Sequence, residues 1–166
     1  DQAGGMASAS GGDAQAGGDA QAGVSVGGGV SVGEEDHLRA ALEERGDLDF
    51  WRLAIKPGKP FTFGRLGDAG LPFFGLPGNP SAVLVCYLTL VLPYLRRCLG
   101  AAPVLPVPQR VLADFTVTRP GPRQEYLRVR RVERDGQAWL QRHPNQSSGM
   151  LSSAVWAEGL AVVPVD

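Results

Sequence analysis

A strand, a proline-and-glycine turn and a long apolar helix follow one another without interruption between residues 71 and 100. Asn79 is a favourable N-cap, and Pro80 suits the first helical position, where its missing N–H is not needed. Residues 81–99 carry a wide apolar face, and Gly100 supplies the expected helix stop. This buried helix at the end of a strand predicts an α/β unit.

The residues before this helix have the pattern of short strands and turns. Residues 50–55 and 61–66 predict strands on either side of a turn-rich loop at 56–60, and residues 71–76 predict a third strand. Residues 34–46 predict a helix, because acids open an apolar-periodic run and a glycine closes it.

The chain begins with a segment that cannot form a core. Residues 1–23 hold only Ala, Gly, Ser, Asp, Gln and one Met, and they include the tandem repeat G-G-D-A-Q-A. This composition predicts a flexible low-complexity segment. The sequence G-V-S-V-G then occurs twice, at 23–27 and 29–33, which we interpret as an expansion beside a structured loop.

The C-terminal part has a different periodicity. Three prolines between residues 103 and 108 predict a stiff linker and a domain boundary. Beyond them the pattern is that of strands, with Asp135 and Gly136 as a hairpin turn, and it favours a small barrel or an open sandwich. The predicted divisions are 1–23, 24–102 and 103–166, and the predicted C-terminal strands are 111–117, 125–133, 138–142 and 160–163.

Charge and cysteine content exclude several classes of protein. A formal net charge of -1 gives no whole-chain attraction to nucleic acid or to an anionic membrane. The first residues lack the basic-then-apolar pattern of a signal peptide. No apolar run approaches the ~20 residues of a bilayer span. Cys86 and Cys98 are ~18 Å apart on the predicted helix, too far for a disulfide. Reduced thiols of this kind favour a cytoplasmic protein.

Two neighbouring features could bind an anion. Lys56 and Lys59 are the only lysines beside fourteen arginines, and both lie in one proline-bounded loop. Such lysines could meet an oxyanion, or they could serve solubility in an exposed turn. Gly78, Asn79 and Ser81 could present backbone N–H groups to an anion, or they could simply start the helix.

Three further candidates have ordinary structural explanations. The Gly/Ser segment at 28–33 could hold phosphate, and the acids up to Asp36 could bind Mg²⁺, although helix-dipole preference also explains them. Arg128 and Arg130 share a predicted strand face, which is commonly a solvated face. The pair Ser147 and Ser148 has the pattern of a polar loop, and no Cys/His/carboxylate spacing predicts a zinc site.

The order of these segments is more specific than any one of them. G-G-V-S-V-G-E-E-D, F-W-R-L-A-I-K-P-G-K-P-F and F-F-G-L-P-G-N-P, followed by a helix, a glycine and a β domain, resemble the molybdopterin molybdenumtransferase family (MoeA and the E domain of gephyrin). The resemblance runs from about Gly28 to Pro164. It implies an α/β fold class, with a partial molybdopterin-binding α/β domain followed by a small C-terminal β-barrel domain.

The resemblance also implies a reaction and a site. Adenylylated molybdopterin and molybdate would give molybdenum cofactor and AMP, with Mg²⁺ assisting. Asp36 matches the acid associated with the metal and nucleotide, Lys56 a lysine that helps to hold molybdate, and Arg128 an arginine of the anion site. The resemblance assigns substrate binding to Arg52, Lys59, Gly78, Asn79, Ser81, Ser147 and Ser148.

The chain also departs from the family pattern. Family members carry two further N-terminal domains and the first half of the α/β domain, and their barrel continues past Asp166. We therefore expect this chain alone to be inactive and marginally stable, and a homodimer only for the full-length family protein. P-G-N-P-S-A replaces P-G-N-P-V-S, so the serine role moves to Ser81 or is lost. A non-catalytic pterin-binding or scaffolding role and an unspecialised α/β-plus-β domain remain alternatives.

Overall fold

The computed structural model describes residues 25–30, 42 and 44–165, which form two sheets and two helical segments. The first sheet contains, in spatial order, β1 (Ser25–Val30), β5 (Leu71–Pro77), β4 (Pro60–Leu66) and β2 (Gly46–Arg52). The second contains β3 (Ile55–Lys56), β7 (Gln124–Arg134), β8 (Gln137–Arg142) and β6 (Leu112–Ala113), with β9 (Gly159–Val163) on the other side of β7.

The first sheet is mixed. Strands β2, β4 and β5 form an antiparallel meander, whereas β1 pairs with β5 in parallel. Gly67 (φ 64°) and Gly70 (φ 60°) take up the left-handed conformation that the β4–β5 turn requires. Residues 28–30, which we predicted to belong to a Gly/Ser loop, lie instead in β1, where Gly28 pairs with Leu76. Backbone pairing overrides the local preference of these glycines.

Helix α1 (Pro80–Cys98) packs on this sheet. Asn79 caps it, since the Asn79 side chain accepts a hydrogen bond from the Ser81 N–H, and Gly100 (φ 78°) follows its end. Residues Tyr87–Val91 form a π-helical turn just before Pro93, whose ring would clash with a carbonyl in a regular helix. The buried core consists of Phe61, Phe74, Leu76, Cys86 and Val91.

Helix α1 is also long and apolar enough, at 19 residues and a mean hydropathy of 1.3, to cross a membrane by length and composition alone. Core helices of soluble proteins pass the same test. Val85, Cys86 and Val91 of this helix are fully buried, and the last two belong to the core that it shares with the sheet. One third of the apolar stretch is buried, and we assign that buried face of α1 to the core.

The second sheet is built on the β7–β8 hairpin. Asp135 (φ 52°) and Gly136 (φ 72°) form its two-residue turn, as predicted, because both positions need the left-handed conformation. Strand β9 pairs antiparallel with β7, and helix α2 (Leu151–Trp156) precedes it. Strand β3 leaves the first sheet and pairs in parallel with the start of β7, so the two parts of the chain share one hydrogen-bonded sheet.

Several predicted boundaries were wrong. The strand predicted at 50–55 is interrupted at Leu53 and Ala54, and only Leu112–Ala113 of the predicted strand 111–117 is a strand. Gly46 begins β2 rather than ending a helix. Helix α2 was not predicted. Residues 1–23 and 31–41 lie outside the described part of the chain, and the domain division at 102 and 103 stays a prediction.

Candidate anion-binding site

Arg128 lies in the middle of β7 and is only 1% exposed. Its Nε donates a hydrogen bond to Ser153 Oγ at 3.0 Å, and its Nη2 donates to the Ser147 carbonyl at 3.1 Å. The flanking residues Leu127 and Val129 are also buried. The predicted anion-site arginine is therefore a buried cation and not part of a solvated face.

Within the described residues, the acceptors of this buried guanidinium are neutral. Among the described residues, no carboxylate oxygen lies within 4.0 Å of its nitrogens. Burial lowers the pKa of Arg128 from its ordinary value, and the more distant charge of Glu125 opposes that shift. A buried charge is costly unless an opposite charge or strong acceptor compensates it. The arrangement is suited to receiving an anion.

Hydrogen bonds to the backbone hold Arg128 in place. Its N–H donates to Gln146 Oε1 at 2.9 Å, and Gln146 Nε2 donates to the Arg128 carbonyl at 2.9 Å and to the His143 carbonyl at 3.0 Å. The His143 N–H also donates to the Arg128 carbonyl, at 3.1 Å. This reciprocal bonding fixes the turn that carries Ser147 and Ser148 beside the strand.

The start of helix α1 contacts the same turn. Asn79 Nδ2 donates to Ser148 Oγ at 3.0 Å, and the Ser81 N–H donates to the Ser148 carbonyl at 3.2 Å as well as to Asn79 Oδ1. Ser81 is fully buried, and its hydroxyl lies 3.5 Å from the Met150 carbonyl. Residues 69 positions apart in the chain therefore meet at the helix N-terminus.

Lys56 lies in β3, next to the start of the strand that carries Arg128. The register pairs Lys56 with Glu125, and the Lys56 Nζ lies 2.9 Å from Glu125 Oε1. Arg123 strengthens this junction, since its Nη1 donates to the Ile55 carbonyl at 3.3 Å. The Lys56 side chain is 56% exposed, so it remains accessible to a ligand.

The loop at 56–60 rests on helix α1. Gly58 has φ 119°, a conformation that side chains rarely adopt, and Cys86 Sγ lies 3.8 Å from its carbonyl oxygen. Burial raises the pKa of the Cys86 thiol to about 11, so it is protonated and can donate at neutral pH. The Lys59 carbonyl accepts the Leu53 N–H at 2.7 Å, which closes the loop.

The predicted site residues thus fall into three groups. Hydrogen bonds connect Asn79, Ser81, Ser147, Ser148 and Arg128, and Glu125 connects Lys56 to the strand that carries Arg128. Three others lie at the edges and are exposed: Arg52, which pairs with Pro60 at the end of β2, Lys59 and Gly78. Asp36 lies outside the described residues.

Sequence reasoning missed Glu125, Gln146 and Ser153. Glu125 had a usable signal, because it is an acid at the start of the strand that carries Arg128. Gln146 and Ser153 had no local signal, since only tertiary packing brings them to Arg128.

The described residues do not form a metal site. In residues 25–30, 42 and 44–165, no group of three or more His, Cys, Asp or Glu could hold a metal ion. Asp36 as a Mg²⁺ ligand stays a prediction.

Comparisons with known proteins fit this architecture. Residues 16–97 match the family model described as "Probable molybdopterin binding domain", and residues 110–166 match the "MoeA C-terminal region (domain IV)". The structure is similar to that of the molybdopterin biosynthesis MoeA protein from Pyrococcus horikoshii, with a TM-score of 0.62 and 30% identity over 85% of this chain and 32% of that one.

Three curated relatives have names from molybdenum cofactor biosynthesis. The chain is 49% identical over 67 residues to a molybdopterin molybdenumtransferase of Haemophilus influenzae, covering 40% of this chain and 16% of that protein. It is 36% identical over 141 residues to the Drosophila melanogaster molybdenum cofactor synthesis protein cinnamon, covering 79% and 22%. It is 34% identical over 135 residues to molybdopterin molybdenumtransferase 1 of Mycobacterium tuberculosis, covering 76% and 31%. The chain therefore spans less than a third of the length of these relatives.

The fold and the matches define a molybdopterin-binding type of α/β unit joined to a curled C-terminal β half-barrel. The chain belongs to the MoeA family, related to the molybdopterin molybdenumtransferases of molybdenum cofactor biosynthesis. The predicted family and fold class are confirmed.

Proposed function

We propose that this chain forms part of the oxyanion site with which a molybdopterin molybdenumtransferase inserts molybdenum into adenylylated molybdopterin and releases AMP. The observation that carries the proposal is Arg128, a guanidinium 1% exposed whose acceptors are a hydroxyl and a carbonyl. Molybdate is a doubly charged oxyanion. A fixed arginine binds such a group through charge-assisted hydrogen bonds of high geometric specificity.

The other cationic and polar groups would surround the same ligand. Lys56 would supply a second positive charge, because its side chain is more than half exposed. Asn79 and Ser81 would align the helix N-terminus with the turn that carries Ser148, to which both are hydrogen bonded. Arg52, Lys59, Gly78 and Ser147 would contact the substrates from the rim. The related full-length proteins would act as cytoplasmic homodimers and use Mg²⁺, held in part by Asp36.

The direct test is molybdate-dependent AMP release from adenylylated molybdopterin by an intact-length version of the protein, combined with calorimetric measurement of molybdate binding by this chain. AMP release that requires molybdate supports the transferase. Molybdate binding by the chain without AMP release by the intact-length version contradicts catalysis and supports the non-catalytic alternative. Absence of both overturns the oxyanion site itself.

A pair of substitutions separates ligand binding by Lys56 from its ion pair with Glu125. Lys56→Ala is expected to weaken molybdate binding by roughly three- to tenfold, because it removes one partly exposed cation. Glu125→Gln keeps an acceptor for Lys56 but removes the competing charge, so binding is expected to be unchanged or about threefold tighter. The dissociation constants of the two variants for molybdate, measured at one ionic strength, show whether Lys56 binds the ligand. Equal weakening by both variants would mean that Lys56 serves only to pair with Glu125.

A further inference from the structure

We propose that Ser153 is a positioning residue that orients the Arg128 guanidinium for the oxyanion. The inference rests on the proposed function and adds a residue to it. Ser153 lies in helix α2, is fully buried and accepts the Nε hydrogen of Arg128 at 3.0 Å. Its own hydroxyl hydrogen goes to the Met150 carbonyl at 2.6 Å. The serine oxygen is therefore a fixed acceptor that cannot rotate away without losing a short hydrogen bond.

This contact determines which edge of the guanidinium remains free. Nε is bound to Ser153, and Nη2 donates to the Ser147 carbonyl. Nη1 has no hydrogen-bond partner among the described residues. Ser153 thus fixes the plane of the guanidinium, and Nη1 is the nitrogen that the described residues leave for an anion.

Ser153 also links the guanidinium to the turn that faces helix α1. The Met150 N–H donates to the Ser147 carbonyl at 3.2 Å, the same carbonyl that receives Nη2 of Arg128. The Met150 carbonyl receives Ser153 Oγ and, more weakly, Ser81 Oγ at 3.5 Å. The Ser153 hydroxyl therefore fixes the position of the Arg128 guanidinium relative to the turn at Ser147 and to the start of α1.

The test compares Ser153→Ala with Ser152→Ala, since Ser152 is the preceding residue of the same helix and is exposed. Ser153→Ala is expected to weaken molybdate binding roughly tenfold, because a buried N–H loses its acceptor and the guanidinium gains freedom. Ser152→Ala should bind as the unchanged protein does. Ser153→Thr, which keeps the hydroxyl, should bind more tightly than Ser153→Ala. Equal affinity of Ser153→Ala and the unchanged protein would overturn the proposal.

A spectroscopic measurement covers the case in which Ser153→Ala does not fold. In the unchanged protein the Arg128 Nε–H resonance should exchange with solvent far more slowly than those of exposed arginines, since Nε is bound to a buried hydroxyl. Rapid exchange of this hydrogen would contradict the positioning role.

Arg128→Gln, measured in parallel, separates the two proposals. If it binds molybdate as tightly as the unchanged protein, the proposed oxyanion site is wrong. If Arg128→Gln loses binding and a folded Ser153→Ala keeps it, only the positioning role is overturned.

Discussion

Arg128→Met is expected to make the protein more stable while abolishing its binding of molybdate. The guanidinium is 1% exposed, and the described residues provide it with neutral acceptors only. Burial lowers the pKa of Arg128, which means that the folded state disfavours the charged form relative to water. Replacing this charge by an apolar side chain of similar length removes that desolvation cost, just as replacing whole buried ion pairs by apolar residues has stabilised proteins by about 1–4 kcal/mol.

The groups that Arg128→Met leaves behind tolerate the change. Ser153 Oγ still donates to the Met150 carbonyl, so only an acceptor lone pair loses its partner. Ser147 is exposed, and its carbonyl still accepts the Met150 N–H. The cost of lost hydrogen bonds therefore stays small compared with the desolvation cost that the substitution removes.

Two quantities are measured: the free energy of unfolding in denaturant and the dissociation constant for molybdate. The dissociation constant is expected to rise more than ~100-fold. Arg130→Met is the matched control, because Arg130 shares the strand face but is half-buried, bonded to Gln141 Oε1 at 2.7 Å and 4.8 Å above the Trp156 ring. This control should lose stability and keep molybdate binding. A less stable Arg128→Met protein, or one that still binds molybdate, would show that Arg128 is a structural residue.

Local signals were enough to predict the helix that positions the site. Asn79 and Pro80 start α1 and Gly100 follows its end, because capping and the proline and glycine preferences depend on adjacent residues only. The Asp135–Gly136 turn was predictable for the same reason. Strands 61–66 and 71–76 were placed to within one residue of β4 and β5.

The features that sequence reasoning missed depend on distant contacts. Residues 28–30 have the composition of a loop, yet pairing with β5 makes them a strand. Lys56 was predicted in a loop and lies in the two-residue strand β3, which exists only because β7 pairs with it. The alternation of β7 put Arg128 and Arg130 on one face but could not tell that helix α2 covers it. Burial, and with it the chemistry of Arg128, is a property of the assembled fold.

Gly58→Ala is expected to have the second large effect, because it combines backbone strain with a steric clash. Gly58 has φ 119°, where an L side chain is strongly disfavoured. An added Cβ would lie 2.8 Å from Cys86 Sγ and 3.1 Å from Ile55 Cδ1. Neither group can move freely, since Cys86 is fully buried and Ile55 lies in β3. We expect a loss of about 3 kcal/mol in unfolding free energy and weaker molybdate binding, as the loop displaces Lys56.

Two further variants separate the contributions of backbone strain and of the steric clash to this loss of unfolding free energy. Gly67→Ala is the control, because Gly67 also has a positive φ (64°) but no atom lies within 4 Å of its added Cβ, so it should cost only about 1 kcal/mol. Gly58→Ala combined with Cys86→Ala should be more stable than the sum of the single effects predicts, since the sulfur that clashes is gone. Molybdate affinity should recover in the same double variant. If the changes in unfolding free energy are strictly additive, the loop at 56–60 does not pack against Cys86.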